Sequence, residues 1–306
     1  IKADQDFIIA WSVSPNFLIK ILKIKYKSII IIERGSTHIE YQNKILKEEH
    51  ESFNINFKIS EEVIKNENKN YIDCDYISVP SKFVFKSFLE CNLPKSKLIV
   101  NPYGADLSKF FPSKHSNKEF TILTVGHGSF RKGLMYVLKA HNFIKGDFIH
   151  YHVGSIEDYI KDFSKSYSNF KHINSQTQQK LREYYQKSDV FILASLEEGL
   201  SLTLLEAMAC GLPIITTKNS GVESIKTNLR FCEIVETKDA KAISKKINFL
   251  KNNSSQLKKY SKNSLKIVSE GGFSWPAYGL RYYENLIKIK KKIKISMNKK
   301  IVIFNE

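Results

Sequence analysis

Two glutamates, Glu198 and Glu206, bracket seven residues within the stretch Ser195 to Pro213, and two adjacent cations, Arg131 and Lys132, lie in an earlier stretch, Gly126 to Gly133. Carboxylates at such a turn suit the hydroxyls of a sugar or a ribose. Cations beside glycines suit a diphosphate, because glycine lets the backbone approach an anion and charged donors make the stronger hydrogen bonds. Gly126-x-Gly128 lacks the third glycine of a dinucleotide fingerprint, and no Gly-Lys-Ser/Thr follows it. Plainer readings stand beside these. Thr203-Leu204-Leu205-Glu206 has the form of a capping box, Glu197 and Glu198 read equally as solvated turn residues, and Gly126 to Gly133 as a surface loop with two solvated cations. At the acidic turn the two carboxylates suit hydroxyls and the start of the following helix suits a phosphate, and that combination asks for a nucleotide-sugar.

Both turns need strands before them and helices after them. Val190 to Ala194 is an apolar strand running into the acidic turn, with a helix beginning within a few residues; Phe120 to Val125 plays the same part for the basic one. In open α/β sheets such strand ends are where ligands bind. The rest of the chain alternates in the same manner. Strands are predicted at Phe7–Trp11, Ile29–Ile32, Tyr76–Val79 and Leu98–Val100. Helices are predicted between them, the first over Asn16–Lys25 with apolar positions at Phe17, Ile21 and Ile24. After a polar segment, Phe111 to Lys118, the pattern restarts with strands at Phe148–Val153, Phe170–Ile173, Ile214–Thr217 and Phe231–Val235. The predicted fold class is α/β, with two Rossmann-like domains facing a central cleft. The expected domains are 1–111, 112–275, a helix over 276–296 packing back on the first domain, and a tail over 297–306. Met297 to Phe304 reads as the first strand of a further α/β unit.

The formal charge is +17, yet only five of the 48 basic residues are Arg. Bidentate phosphate reading prefers Arg, so no nucleic-acid partner is expected. Coding bias accounts for much of the lysine excess, and an anionic membrane surface is the next partner that such a charge fits. Cys74, Cys91, Cys210 and Cys232 show neither C-x-x-C spacing nor a histidine pattern, so reduced thiols and a cytoplasmic protein are expected. No apolar run approaches membrane-spanning length. The chain opens on Ile1, so a missing N-terminal part is expected.

The long block Glu198-Gly199-Leu200-Ser201-Leu202-Thr203-Leu204-Leu205-Glu206-Ala207-Met208-Ala209-Cys210-Gly211-Leu212-Pro213 makes a resemblance specific. Val125-Gly126 with Arg131-Lys132-Gly133, Asn101-Pro102-Tyr103-Gly104-Ala105-Asp106 and Phe273-Ser274-Trp275 add to it. The chain resembles the retaining GT-B-fold glycosyltransferases of family 4 (glycosyl transferases group 1), over about the last two hundred residues closely and over the first hundred more loosely. The resemblance implies that Glu198 contacts donor-sugar hydroxyls, Glu206 the ribose, and Lys132 the diphosphate. It implies that backbone N–H groups around Gly199, Leu200, Ser201 and Leu202 hold sugar and phosphate. Where the family has Arg directly after the strand-end glycine, this chain has His127, and Arg131 is the substitute. The first domain looks short for the family, which has one or two more strand–helix units before the point where Ile1 falls. His38, in the turn Glu33-Arg34-Gly35-Ser36-Thr37-His38, is the candidate for a histidine near the donor sugar, and Arg34 for a diphosphate or acceptor contact. A histidine in a helix-start turn is the competing reading.

The reaction implied is transfer of a sugar from a nucleotide-sugar to a hydroxyl of a glycan or lipid-linked acceptor, with retention and without a metal. Surface polysaccharide or glycolipid synthesis at the inner face of the cytoplasmic membrane is the setting expected. Asp73-Cys74-Asp75 precedes a strand instead of following one and reads as a solvated turn; His150 and His152 lack a completing ligand and read as structural. A glycoside hydrolase would use two carboxylates but leaves the basic turn unexplained. A nucleotide-sugar epimerase on the same fold would need no acceptor, and a non-catalytic fragment would bind a sugar or a membrane without turnover.

Overall fold

The computed structural model describes residues 5–113, 119–225, 227–293 and 300–303. It divides into two compact units, one made of Ile1–Pro102 with Tyr278–Glu306 and the other of Tyr103–Ala277.

In unit 1 the order is β1 (Gln5–Trp11), α1 (Asn16–Tyr26), β2 (Ile29–Glu33), α2 (Ile39–Glu51), α3 (Glu61–Asp73), β3 (Tyr76–Val79), α4 (Lys82–Glu90) and β4 (Leu98–Val100). The wholly buried run Ile29 to Glu33 marks a parallel strand covered on both faces. Alternation sorts the two sides. Ile8, Ala10, Ile30 and Ile32 pack with Ile19, Leu22, Tyr71 and Phe88. Phe7, Ile9, Ile29 and Ile31 pack instead with Tyr282, Leu286 and Ile289. Helices α3 and α4 start on Ser60 and Ser81, whose hydroxyls accept from the N–H of Glu62 (3.3 Å) and Val84 (3.2 Å).

Unit 2 runs β5 (Phe120–Val125), α5 (Leu134–Ala140), β6 (Phe148–Val153), α6 (Asp158–Ser164), β7 (Phe170–Ile173), α7 (Gln178–Gln186), β8 (Val190–Leu193), α8 (Leu202–Ala209), β9 (Ile214–Thr217), β10 (Cys232–Val235), α9 (Ala240–Lys251) and α10 (Ser254–Glu270). Its sheet order is β10-β9-β8-β5-β6-β7, parallel throughout. Numbered within the unit this is 6-5-4-1-2-3, the doubly wound order, and its direction reverses between β5 and β8.

Three expectations are corrected: the first boundary, the strand near the end of the chain and the inward face of α1. The first unit ends at Pro102, not 111, because Tyr103 to Phe110 packs on unit 2: Ala105 N–H donates to Phe273 O (2.8 Å) and the Phe110 ring meets Tyr185 edge-on at 5.7 Å. Of the polar segment that follows, residues 114–118 lie outside the described residues. A last helix, α11 (Trp275–Ile293), belongs to unit 1 from Tyr278 onward. The strand reading near the end of the chain falls at β11 (Lys300–Ile303), which pairs parallel to β1 at the edge of the first sheet instead of opening another unit; residues 297–299 and 304–306 lie outside the described residues. In α1, Phe17, Ile21 and Ile24 face outward, while Ile19 and Leu22 enter the core.

Candidate functional site

The two chemical turns of the sequence follow β5 and β8, the neighbouring strands at which the order of the second sheet reverses. Ligands of doubly wound folds bind outside the carboxyl ends of such strands. The turns are joined by backbone. Leu196 N–H donates to Arg131 O (2.9 Å), and Gly133, at φ +69°, lies so close to Ala194 that a Cβ there would stand 2.0 Å from its carbonyl oxygen. Only glycine meets both demands. From below, Thr216 and Thr217 of β9 donate their hydroxyls to Leu193 O (2.8 Å) and Ser195 O (2.6 Å), and Asn219 Nδ2 donates to Leu196 O (2.7 Å).

This framework brings Arg131, Lys132 and Glu198 together. Lys132 Nζ donates to Glu198 Oε2 in a short ion pair, and Arg131 Nη1 lies 3.4 Å from Glu198 Oε1 and 3.4 Å from Glu197 Oε2. Burial pushes the Glu198 carboxyl up, but Lys132 and Arg131 outweigh it and hold the group below the usual carboxylate range. Burial likewise works against the Arg131 charge, and Glu198 and Glu197 more than restore it. Glu198 and Arg131 are thus each held in the charged form by the other's charge. Gly199 N–H donates to Glu198 Oε1 (3.3 Å), and α8 starts on Ser201, whose hydroxyl bonds Thr203 Oγ1 (2.8 Å) and no first-turn N–H.

Glu197 is not a solvated turn residue: it is fully buried, with its carbonyl and carboxylate both facing Arg131. The capping-box reading of Glu206 is also corrected. Thr203 lies inside α8, and Glu206 Oε2 accepts from the buried Tyr185 hydroxyl (2.9 Å), which also reaches Thr203 O (3.2 Å). Burial raises the Glu206 carboxyl, against the Tyr185 hydrogen bond. Tyr185 had no signal in the sequence beyond its place in an amphipathic helix.

His127 pairs with neither Glu197 nor Glu198. Its Nδ1 is 2.8 Å from Ser155 Oγ and its Nε2 3.6 Å from Glu157. Beneath the basic turn runs a buried chain, His141 Nε2 to His150 Nδ1 (3.0 Å), His150 Nε2 to Thr124 Oγ1 (2.9 Å), and Thr124 Oγ1 to His152 Nδ1 (3.0 Å). A Cβ on Gly128 would stand 2.8 Å from His152 Nε2, so this chain is the floor of the turn. Burial pushes His141 and His152 down to about 4 and His150 further, which keeps all three neutral.

In unit 1, His38 is the N-cap of α2, its Nδ1 accepting from Glu40 N–H (3.3 Å) and its ring held between Tyr71 and Phe88. Only 3% of it is exposed, and burial pushes it down to about 4. The helix-start reading describes this placement. Arg34, 7% exposed, bonds inside unit 1 to Glu67 (2.9 Å), Gln42 Oε1 (2.8 Å), Ser12 Oγ (3.3 Å) and Thr37 O (3.0 Å). Asp73 and Asp75 join helix to strand: Asp73 Oδ2 accepts from Asn16 Nδ2 (2.9 Å), and Asp75 Oδ2 from Ile30 N–H (2.9 Å). His38, Glu40 and Cys91 place ligand atoms within 4.8 Å of one another. Burial first, and Glu40 next, push the Cys91 thiol up, and Glu40 already accepts from Asn68 (2.6 Å), so the group is poorly prepared for a metal.

The comparisons with known proteins agree with the fold. The structure is similar to that of sucrose-phosphate synthase from Thermosynechococcus elongatus, with a TM-score of 0.75 and 19% identity over 94% of this chain and 74% of that one. It is also similar to Anabaena HepE in complex with UDP-glucose, with a TM-score of 0.72 and 15% identity over 92% of this chain and 79% of that one. Its α/β architecture of parallel sheets is that of GT-B glycosyltransferases. In sequence it is 28% identical over 160 residues to a probable sucrose-phosphate synthase of Thermosipho melanesiensis, a match covering 47% of this chain and 37% of that protein. The chain covers less than half the length of the curated relatives it matches. Residues 107–267, more than half of the chain and including both turns, match Glycosyl transferases group 1, and the chain belongs to that family.

Proposed function

We propose that this chain is part of a retaining glycosyltransferase that moves a sugar from a nucleotide-sugar to a hydroxyl of a glycan or lipid-linked acceptor. The carrying observation is the Lys132–Glu198 pair, which sits with Arg131 on backbone-locked turns at the reversal of a doubly wound sheet. Lys132 and Arg131 receive the diphosphate. On ligand entry Lys132 exchanges a carboxylate for phosphate oxygens, and the released Glu198 oxygens accept from sugar hydroxyls. Backbone N–H groups from Gly199 to Leu202 complete the cradle at the start of α8, and Glu206 takes the ribose.

As the sugar–phosphate bond breaks, negative charge grows on the departing diphosphate. The two cations meet it in place, and preorganisation of this kind is usually the largest catalytic contribution. This assigns leaving-group stabilisation to side chains and not to a metal. The acceptor hydroxyl attacks from the face the leaving group vacates. A two-carboxylate hydrolase fits less well, because it gives no role to Arg131 and Lys132, the two cations held against Glu198.

UDP-glucose is the first donor to try, since the similar Anabaena structure contains it. Calorimetric titration with UDP, GDP and ADP measures donor binding, and release of nucleoside diphosphate in the presence of acceptor measures transfer. The anomeric configuration of the product, read by NMR, tests retention. Absence of binding by every nucleoside diphosphate refutes the reading.

A further inference from the structure

The side of α1 that faces away from the core is apolar. Phe17, Ile21 and Ile24 share one helical stripe and are 66%, 50% and 79% exposed, with Leu18 beside them and Trp11 and Val13 exposed just before the helix. Lone exposed hydrophobics are ordinary, but a contiguous set marks an interaction surface. At 100° per residue, Lys20, which also lies 3.8 Å from Asp73 Oδ2, flanks the stripe on one side and Lys25 on the other, both exposed, and the exposed Lys27 caps the end of the helix in a left-handed conformation. At the end of α1 opens a cavity of about 700 Å³, lined among others by Lys23, Lys27, Lys97 and Lys292. Two of these lysines are engaged: Lys23 with Asp75 (2.9 Å), and Lys97 with the carbonyls of Tyr71, Ile72 and Cys74 (3.1, 2.8 and 2.8 Å). Lys27 and Lys292 have no ion-pair partner among the described residues.

We propose that α1 docks unit 1 on a bilayer containing anionic phospholipid. Phe17, Leu18, Ile21 and Ile24 enter the boundary between headgroups and acyl chains, Lys20 and Lys25 lie along the headgroups, and Lys27 and Lys292 take a lipid phosphate in the cavity. Charge complementarity selects this occupant: an apolar stripe with lysines on both flanks is the pattern of helices that lie in the plane of an anionic interface. The lysine-rich end of α11, which supplies Lys292, extends the same charge. This docking goes beyond the transfer reaction and does not depend on it, since vesicle binding is measured without donor and donor binding without vesicles.

The test is co-sedimentation of the full chain with phosphatidylcholine vesicles, with and without phosphatidylglycerol as about one-third of the lipid. The expected result is partition at least about tenfold stronger onto the anionic vesicles, lost at high salt. The triple variant Phe17→Ser/Ile21→Ser/Ile24→Ser is expected to weaken that partition about tenfold or more, with an unchanged circular dichroism melt. Lys25→Glu/Lys27→Glu keeps the apolar stripe and is expected to lower binding to anionic vesicles alone; it decides the matter where the triple variant does not fold. Equal binding to both vesicle types, wild-type binding by the lysine variant, or no vesicle binding by the wild type overturns the proposal. So does a wild-type dimer that the triple variant converts to monomer with vesicle binding unaltered, which makes the stripe a protein interface.

Discussion

Replacing Lys132 by Ala separates what the residue does for the fold from what it does for a ligand. Its side chain is 16% exposed and that of Glu198 is 11% exposed, so the substitution strands a shielded carboxylate with Arg131 as its remaining cation, 3.4 Å away. Breaking a fully buried pair from one side costs about 3–5 kcal/mol, and the residual exposure with Arg131 nearby places the expected loss near about 3 kcal/mol. Urea unfolding reads it. Glu198→Gln frees an ammonium on a flexible stem that reaches water, with an expected loss of about 1 kcal/mol. The double variant leaves no stranded charge and is expected within about 1 kcal/mol of the wild type. Affinity for a nucleoside diphosphate follows a different course. Lys132→Ala and the double variant both lose a charged contact of about 1.5–3 kcal/mol, or about 10- to 150-fold in Kd by calorimetry. The double variant recovers stability without recovering affinity. Wild-type stability and affinity in Lys132→Ala, or recovery of both in the double variant, refutes the reasoning.

Three further outcomes are expected. Glu206→Ala leaves Tyr185 with Thr203 O as its partner and should cost about 1 kcal/mol, while UDP affinity falls about tenfold and inorganic pyrophosphate affinity stays; equal losses for both ligands contradict a ribose contact. Burial pushes Glu33, bonded by Tyr282 (3.1 Å), up to about 7, so the folded chain holds a proton that the unfolded chain releases near 4.5, and this stability is lost as pH rises to about 7. Glu33→Gln should therefore be the more stable protein at about pH 8, by up to about 3 kcal/mol, and thermal melts with no gain there defeat the account. Burial pushes His141 and His152 down to about 4, so their contribution is complete above about 6.5 and is lost as pH falls toward 4. Melts of the wild type should show unit 2 weakening across that interval, and a flat profile contradicts a neutral histidine chain.

The sheets were legible in the sequence because their strands are short apolar runs closed by polar or glycine residues. Tyr76–Val79, Phe120–Val125, Phe148–Val153 and Ile214–Thr217 fall where the pattern places them. The outward face of α1 was not legible: Ile19 and Leu22 compete with Phe17, Ile21 and Ile24 for the inward side, and periodicity cannot choose between two apolar stripes. The boundary at Pro102 was hidden because Tyr103 to Phe110 has no period and is claimed by Phe273, far along the chain. In the site, residue types and spacing brought Glu198, Arg131 and Lys132 forward. The buried place of Glu197 was unreadable, since adjacent glutamates in a turn carry no sign of which one points inward. The apparent capping box at Thr203 failed because the helix begins earlier, with Ser201 as its N-cap.

The close approach of Gly133 to Ala194, with the bond from Leu196 to Arg131, makes the basic and acidic turns one cassette. A change of length in either loop disturbs the contacts that hold the other, so under the proposed function variation in donor preference is expected in loops outside these two turns. Redesign by grafting has to move 126–133 and 194–201 together, as a matched pair.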